Sequence, residues 1–86
     1  MGSERMTARA FQVGDRVRAR GSPEYGIGII EDVNVDPDLS ETEQQEQYSL
    51  RVVFPNVKVP LMSGGTENAY DLVAPDEVEL VEAAPP

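Results

Sequence analysis

The sequence predicts an all-β domain, a small barrel of five strands within a chain of 86 residues. Short stretches rich in valine and isoleucine alternate apolar with polar residues, the spacing of half-buried strands. Clusters of glycine, proline, serine and asparagine separate these stretches and favour turns. The outermost stretches, residues 11–18 and 71–81, have the pattern expected of the first and last strands of one barrel.

The first two strands flank a loop that is dense in turn-forming residues. Residues 16–20 alternate arginine with apolar residues and predict the first strand, and residues 21–26 predict an exposed loop. Residues 27–35 are strongly apolar and β-branched and predict the second strand. Gly28 in that strand marks a bend or a bulge where the sheet curls.

The segment 36–47 contains five acidic residues and one apolar residue in twelve positions. It cannot supply a core, so it predicts a solvated, mobile hairpin loop. The alternative is a short helix, because Ser40 and Glu43 have the spacing of a capping box, but no apolar face follows them.

The second half of the chain predicts three more strands. Residues 48–54 form the third strand, which Pro55 ends. Residues 57–62 also alternate, but Pro60 confines them to an edge, an irregular extension or a flap. The remaining elements are a flexible turn at 63–68, a fourth strand at 69–73, a 3₁₀ corner at 75–77 and a closing strand at 78–81.

Domain organisation and composition limit the functions that are open to the chain. Residues 1–10 predict a flexible arm, residues 11–82 the barrel and residues 83–86 a tail. The chain has no cysteine and no histidine, which excludes disulfides, Cys/His zinc sites, cysteine nucleophiles and histidine bases. We therefore expect no enzyme, no cofactor and no metal. With no apolar run long enough for a membrane span and no signal peptide, the expectation is a cytoplasmic protein without a membrane partner.

The charge is distributed unevenly along the chain, whose formal net charge is −9. Residues 1–20 carry five arginines against two acids, and residues 21–86 carry two basic residues against fourteen acids. The acidic body repels a phosphate backbone and disfavours nucleic acid as a partner. Two alternative interpretations of this acidity remain open: adaptation to high salt, or a surface that binds a basic partner.

Four motifs together resemble a known group of small barrels. They are the opening Val13-Gly-Asp-Arg-Val17, the Tyr25-Gly-Ile-Gly28 start of the second strand, the Tyr48-x-Leu-x-Val-x-Phe-Pro55 third strand and the Pro75-x-Glu-Val-Glu-Leu-Val81 ending. Over residues 11–82 the chain resembles the Tudor/KOW group of SH3-like barrels. Such modules are attached to bacterial DNA translocases and helicases, or bind polymerase in the transcription-repair coupling factor and in CarD-type regulators. The opening also resembles the β-subunit end of nitrile hydratases, over residues 11–18 alone.

A strip of apolar residues, Val57, Val59, Leu61 and Met62, is the favoured interaction surface. If five strands already close the barrel, this strip forms an exposed edge that adds a strand to a protein partner or to a second copy in a homodimer. The alternative is a long β-hairpin packed back on its own sheet.

Aromatic residues offer a second candidate site, since the Tudor resemblance implies a cage for a methylated side chain. Tyr25 and Tyr70 could meet at one end of the barrel. Phe11, Tyr48 and Phe54 alternate into the expected core, so ordinary packing is favoured over a cage.

The arginines Arg16, Arg18 and Arg20 share one face of the first strand, and Arg5 and Arg9 could extend that stripe. The stripe is a candidate contact for nucleic acid or for an acidic partner. Pairing with the chain's own acids is favoured, because acids outnumber basic residues by sixteen to seven.

The sequence and the resemblance together indicate a non-catalytic protein-interaction module, an accessory to transcription or DNA-processing machinery. The machinery follows from the resemblance alone. The alternatives are a small structural subunit of a metabolic enzyme complex and a nucleic-acid-binding barrel that uses the arginine stripe.

Overall fold

The computed structural model describes residues 11–85 and shows a mostly β chain with one helix. Its antiparallel sheet has the strand order β4-β3-β2-β1-β5 and is open, with β4 and β5 at its edges. The predicted arm, residues 1–10, lies outside the described residues. The elements are β1 (Arg16–Ala19), β2 (Ile27–Val33), α1 (Glu41–Glu46), β3 (Leu50–Pro60), β4 (Thr66–Val73) and β5 (Val78–Glu82), with 3₁₀ turns at Pro23–Tyr25 and Pro75–Glu77.

The core lies against one face of this sheet. Strand pairing sets Ile30 beside Val52 and Leu50 beside Val73, so alternate residues of neighbouring strands point to the same side. These residues are buried because valine, leucine and phenylalanine leave water together. The complete buried cluster consists of Val17, Ile30, Leu50, Val52, Phe54, Val73 and Val78.

The prediction that Tyr48 belongs to the core is wrong. Its side chain is 66% exposed. The alternating pattern extends to Tyr48, but β3 begins only at Leu50, after the N–H of Ser49 donates to the carbonyl of Gln47 and turns the chain. Alternation therefore no longer decides which way the tyrosine points.

Gly28 is required by a close approach between the backbone of β2 and the core. A Cβ placed there would lie 2.4 Å from Cγ1 of Val52 and 2.8 Å from Cε1 of Phe54. The irregularity in the β2–β3 pairing lies elsewhere, between Ile30 and Asp32. Gly28 thus makes room for the core, and the bulge follows it along the strand.

The prediction that Pro55 ends the third strand is wrong, because β3 continues to Pro60. The pairing with β4 shifts between Phe54 and Lys58, which marks a bulge. Before the bulge the even-numbered Phe54 faces the core, and after it the odd-numbered Val57 packs against the same core. The bulge changes the parity of the strand and keeps an apolar residue on the inner side.

Residues 57–60, predicted as an edge or a flap, form the outer half of a long β3–β4 hairpin. At its turn the N–H of Leu61 donates to the carbonyl of Gly65, and the N–H of Gly64 donates to the carbonyl of Leu61. Positive φ angles of 98° and 80° at Gly64 and Gly65 allow this tight reversal. Strand β4 consequently starts at Thr66, within the segment predicted as a turn.

The segment 36–47 is mostly exposed, as predicted, but it is not a loop throughout, because the alternative of a short helix is confirmed as α1. Ser40 and Glu43 form both hydrogen bonds of the capping box. Nε2 of Gln44 donates to the carbonyl of Leu39, and the N–H of Asp36 donates to Oε1 of Gln47. Polar side chains therefore organise a segment that has no apolar face.

Within residues 11–85, no helix is long and apolar enough to cross a membrane.

Candidate interaction surface

The apolar strip Val57, Val59, Leu61 and Met62 is divided between the core and the solvent. Val57 packs against the buried cluster, and Val59 is half-buried. Leu61 and Met62 lie at the turn of the hairpin, where Leu61 is 38% exposed and Met62 is fully exposed. Within this strip, the turn therefore offers the most exposed apolar surface to a partner.

The outer half of the hairpin has open strand edges. The pairing of β2 with β3 ends at Ile29 and Val53, whereas β3 pairs with β4 as far as Pro60. Among the described residues, the segment 58–60 thus pairs with β4 alone, and β4 has no strand on its other side. Unpaired strand edges of this kind accept an added strand.

Tyr25 and Tyr70 lie on opposite faces of the sheet and form no cage. The ring of Tyr25 packs edge-on against Phe54, with ring centroids 5.2 Å apart, on the core side. Tyr70 is the register partner of Val53, the residue before Phe54, and so faces the other way. Its ring lies 4.4 Å from the guanidinium carbon of Arg51.

Sequence reasoning missed the apolar character of the outer sheet face. The register sets Ile29, Val53 and Tyr70 side by side across three strands, and Leu72 lies opposite Arg51. Tyr70 and Leu72 are each 56% exposed. The alternation of Tyr70 and Leu72 with Asp71 indicates that the two apolar residues share one face of the strand. The sequence does not show whether that face is the inner or the outer one, because this depends on the pairing of β4 with β3.

The arginine stripe pairs with acids of β5, so the prediction of intramolecular pairing is confirmed. Arg16 lies 3.3 Å from Glu82, and Arg18 lies 3.2 Å from Glu79. Arg20 approaches the other oxygen of Glu79 at 3.7 Å. Antiparallel pairing of β1 with β5 produces these contacts, which sequence alone could not locate. Arg5 and Arg9 lie outside the described residues.

The acidic side chains of residues 11–85 do not converge into a metal site. The buried carboxylate of Asp15 instead accepts hydrogen bonds from the backbone N–H groups of Gln12 and Ala84. It has a structural role next to β1.

The fold and these surfaces define a class of protein: a small, mostly β domain with one open antiparallel sheet and a long hairpin with an exposed apolar turn. Comparisons with protein families, with curated proteins and with solved structures found no match to this chain.

Proposed function

We propose that this chain is a non-catalytic protein-interaction module that docks through its β3–β4 hairpin. The observation that carries the proposal is the exposure of Leu61 and Met62 at a hairpin turn flanked by unpaired strand edges. Burial of the two side chains would supply affinity, and backbone hydrogen bonds along an edge would fix orientation.

We further propose that the domain is an SH3-like barrel of the Tudor/KOW type. The pairing of β1 with β5 supports this, because a small barrel brings its first and last strands together. The 3₁₀ turn at Pro75–Glu77 between the last two strands supports it too. The same resemblance suggests an accessory role beside transcription or DNA-processing machinery.

A protein partner is favoured over nucleic acid. The arginines of β1 are engaged by Glu79 and Glu82 and leave little free positive charge on that face. A net charge of −9 opposes approach to a phosphate backbone. Catalysis by this chain is not part of the proposal, because it has neither histidine nor cysteine to assemble a nucleophile and base.

Affinity capture from the source cell's lysate, with nuclease treatment and mass spectrometry, tests the proposal. The double variant Leu61→Asp, Met62→Asp should lose the partner, because aspartate at the turn cannot be buried against an apolar surface. The control variant is Val13→Asp, since Val13 is 60% exposed and lies outside the hairpin. It should keep the partner.

Recovery of a polymerase, a helicase or a translocase with the parent chain and the control, but not with the double variant, supports the proposal. Recovery of a metabolic enzyme would assign the chain to an enzyme complex instead. Recovery of nuclease-sensitive nucleic acid alone, lost on Arg16→Glu and Arg18→Glu, would replace the proposal with a nucleic-acid-binding function.

A further inference from the structure

We infer that the open edge of β4 binds an extended segment of a partner protein in which lysine or arginine alternates with apolar residues. The inference rests on the proposed function and names the chemistry of the partner. It follows from the two faces of β4, from the absence of an ion pair to its acids among residues 11–85, and from one hydrogen bond at the edge.

The two faces of β4 differ in chemistry. Tyr70 and Leu72 point to the outer face and are more than half exposed. Glu67 and Asp71 alternate with them and point to the other face, where both are exposed. A strand added beside β4 has the same period, so it would set apolar residues next to Tyr70 and Leu72 and its other residues next to the acids.

The acids of β4 have no cationic partner in the described chain. Among residues 11–85, the ion pairs engage Glu31, Glu79 and Glu82, none of which lies on β4. Lysine or arginine on the added strand would complement Glu67 and Asp71, and the net charge of −9 would draw a basic segment towards the molecule.

The acids of β4 oppose one register in which a second copy of the chain could occupy the same edge. Antiparallel pairing of two β4 strands about Ala69 sets Glu67 of each copy opposite Asp71 of the other. Like charges directly opposite one another destabilise a strand pair. Charge complementarity thus favours a basic strand over a second copy paired in that register.

A hydrogen bond explains how charge would control strand addition. The backbone N–H of Leu72 donates to Oδ1 of Asp71 at 2.9 Å. We assign this N–H to the open edge, because it bonds to a side chain. A cation on the partner would draw the Asp71 carboxylate away and leave the N–H free for a carbonyl of the added strand. A strand without a cation has no group that could take the place of the Leu72 N–H at the Asp71 carboxylate, so this N–H would stay bonded to the side chain.

Binding of two synthetic peptides to the full chain tests the inference. One peptide has about seven residues in which lysine alternates with valine, and the other has the same composition with all lysines before all valines. Fluorescence anisotropy at about 0.15 M salt limits long-range attraction between charges. The alternating peptide should bind roughly fivefold more tightly, because it alone matches both faces of β4.

Two double variants with the same change in charge distinguish local charge pairing at the edge of β4 from attraction by the net charge of the whole chain. Glu67→Lys with Asp71→Lys should weaken the alternating peptide by about tenfold or more, because two favourable pairs become repulsive. Glu41→Lys with Glu46→Lys on α1 should change the affinity by less than about threefold. Asp71→Asn retains an acceptor for the N–H of Leu72 but removes the charge, and should weaken binding as well.

Equal affinity for the two peptides, or equal loss in the two double variants, would show attraction by net charge alone and overturn the inference. A dimer of the parent chain in analytical ultracentrifugation that dissociates on Tyr70→Asp would also overturn it, by making a second copy the occupant. If the captured partner is lost in the hairpin-turn variant but retained in the β4 variant, the proposed function stands and this inference fails. If the peptides bind as expected but no captured partner is lost in the hairpin-turn variant, this inference stands and the proposed docking through the hairpin turn fails.

Discussion

The backbone N–H of Ala84 donates a hydrogen bond of 2.7 Å to Oδ1 of Asp15. The other oxygen, Oδ2, accepts from the N–H of Gln12 at 2.8 Å. The Asp15 residue is 2% exposed, so these two donors replace the water that a carboxylate would otherwise bind. A single side chain thereby fastens the segment after β5 to the turn before β1.

Replacing Asp15 should destabilise the domain. In Asp15→Asn only one oxygen remains, and the amide NH₂ faces a backbone donor, so one buried N–H loses its acceptor. We expect the free energy of unfolding in urea to fall by about 1–3 kcal/mol. Asp38→Asn, at an exposed position, should change it by less than about 0.5 kcal/mol. Equal stability of the two variants would contradict the structural role of Asp15.

A methyl group at Gly28 should disrupt the core. The added Cβ would overlap Val52 and Phe54, both of which are buried in the core, so at least one of them must shift. We expect Gly28→Ala to lower the urea midpoint, with a loss of about 1–3 kcal/mol. Gly21→Ala is the control, because a Cβ at Gly21 meets nothing within 4 Å. A Gly28→Ala variant as stable as this control would show that Val52 and Phe54 can shift to admit the methyl group at little cost in stability.

Loss of the helix cap should act locally. Ser40→Ala removes the hydroxyl that accepts from the N–H of Glu43, at a cost of about 1 kcal/mol to α1. Because α1 has no buried residue, we expect faster amide hydrogen exchange within Glu41–Glu46 and little change in global stability. Thr42→Ala keeps both bonds of the capping box and should leave exchange nearly unchanged. Equal acceleration in the two variants would contradict the role of the cap.

Salt should stabilise the domain. The chain contains sixteen acidic and seven basic residues, so repulsion between acids is the main electrostatic effect. The ion pairs that salt would weaken are exposed and contribute little to stability. Raising sodium chloride from about 0.05 M to about 1 M shortens the screening length from more than 10 Å to about 3 Å, and so reduces repulsion among the acids. We expect the urea midpoint to rise. A falling midpoint would mean that the ion pairs of β1 and β5 outweigh the repulsion.

Prediction from the sequence succeeded where short-range periodicity controls the structure. The alternation in β3 correctly predicts that Leu50 and Val52 share one face of the strand, and that Val57 and Val59 share one face. Both pairs lie on the side of the sheet that the core occupies. Prediction failed at Pro55, which predicts the end of a strand but lies within β3. Because the pairing with β2 has already ended at Val53, Pro55 withholds no hydrogen bond from that strand, and the bulge accommodates it.

The candidate site was predicted less completely than the fold. Leu61 and Met62 could be recognised as apolar residues near a glycine-rich turn, and they are exposed. The separation of Tyr25 from Tyr70 depends on the register of β3 with β4 and on the packing of Phe54, neither of which a single sequence specifies. The capping box at Ser40 was visible, but the glutamine bonds that anchor the helix join residues whose geometry the sequence does not give.

The sequence by itself determined the all-β class, the approximate positions of five strands and the acidic character, because these depend on composition and on the period of neighbouring residues. Only the tertiary structure decided which acids pair with Arg16 and Arg18, which face Tyr70 occupies, and that Val57 packs against the core. The physical reason is strand register. A shift by an odd number of residues, such as the three-residue shift in the β3–β4 pairing between Phe54 and Lys58, exchanges the inner and outer faces of every residue that follows.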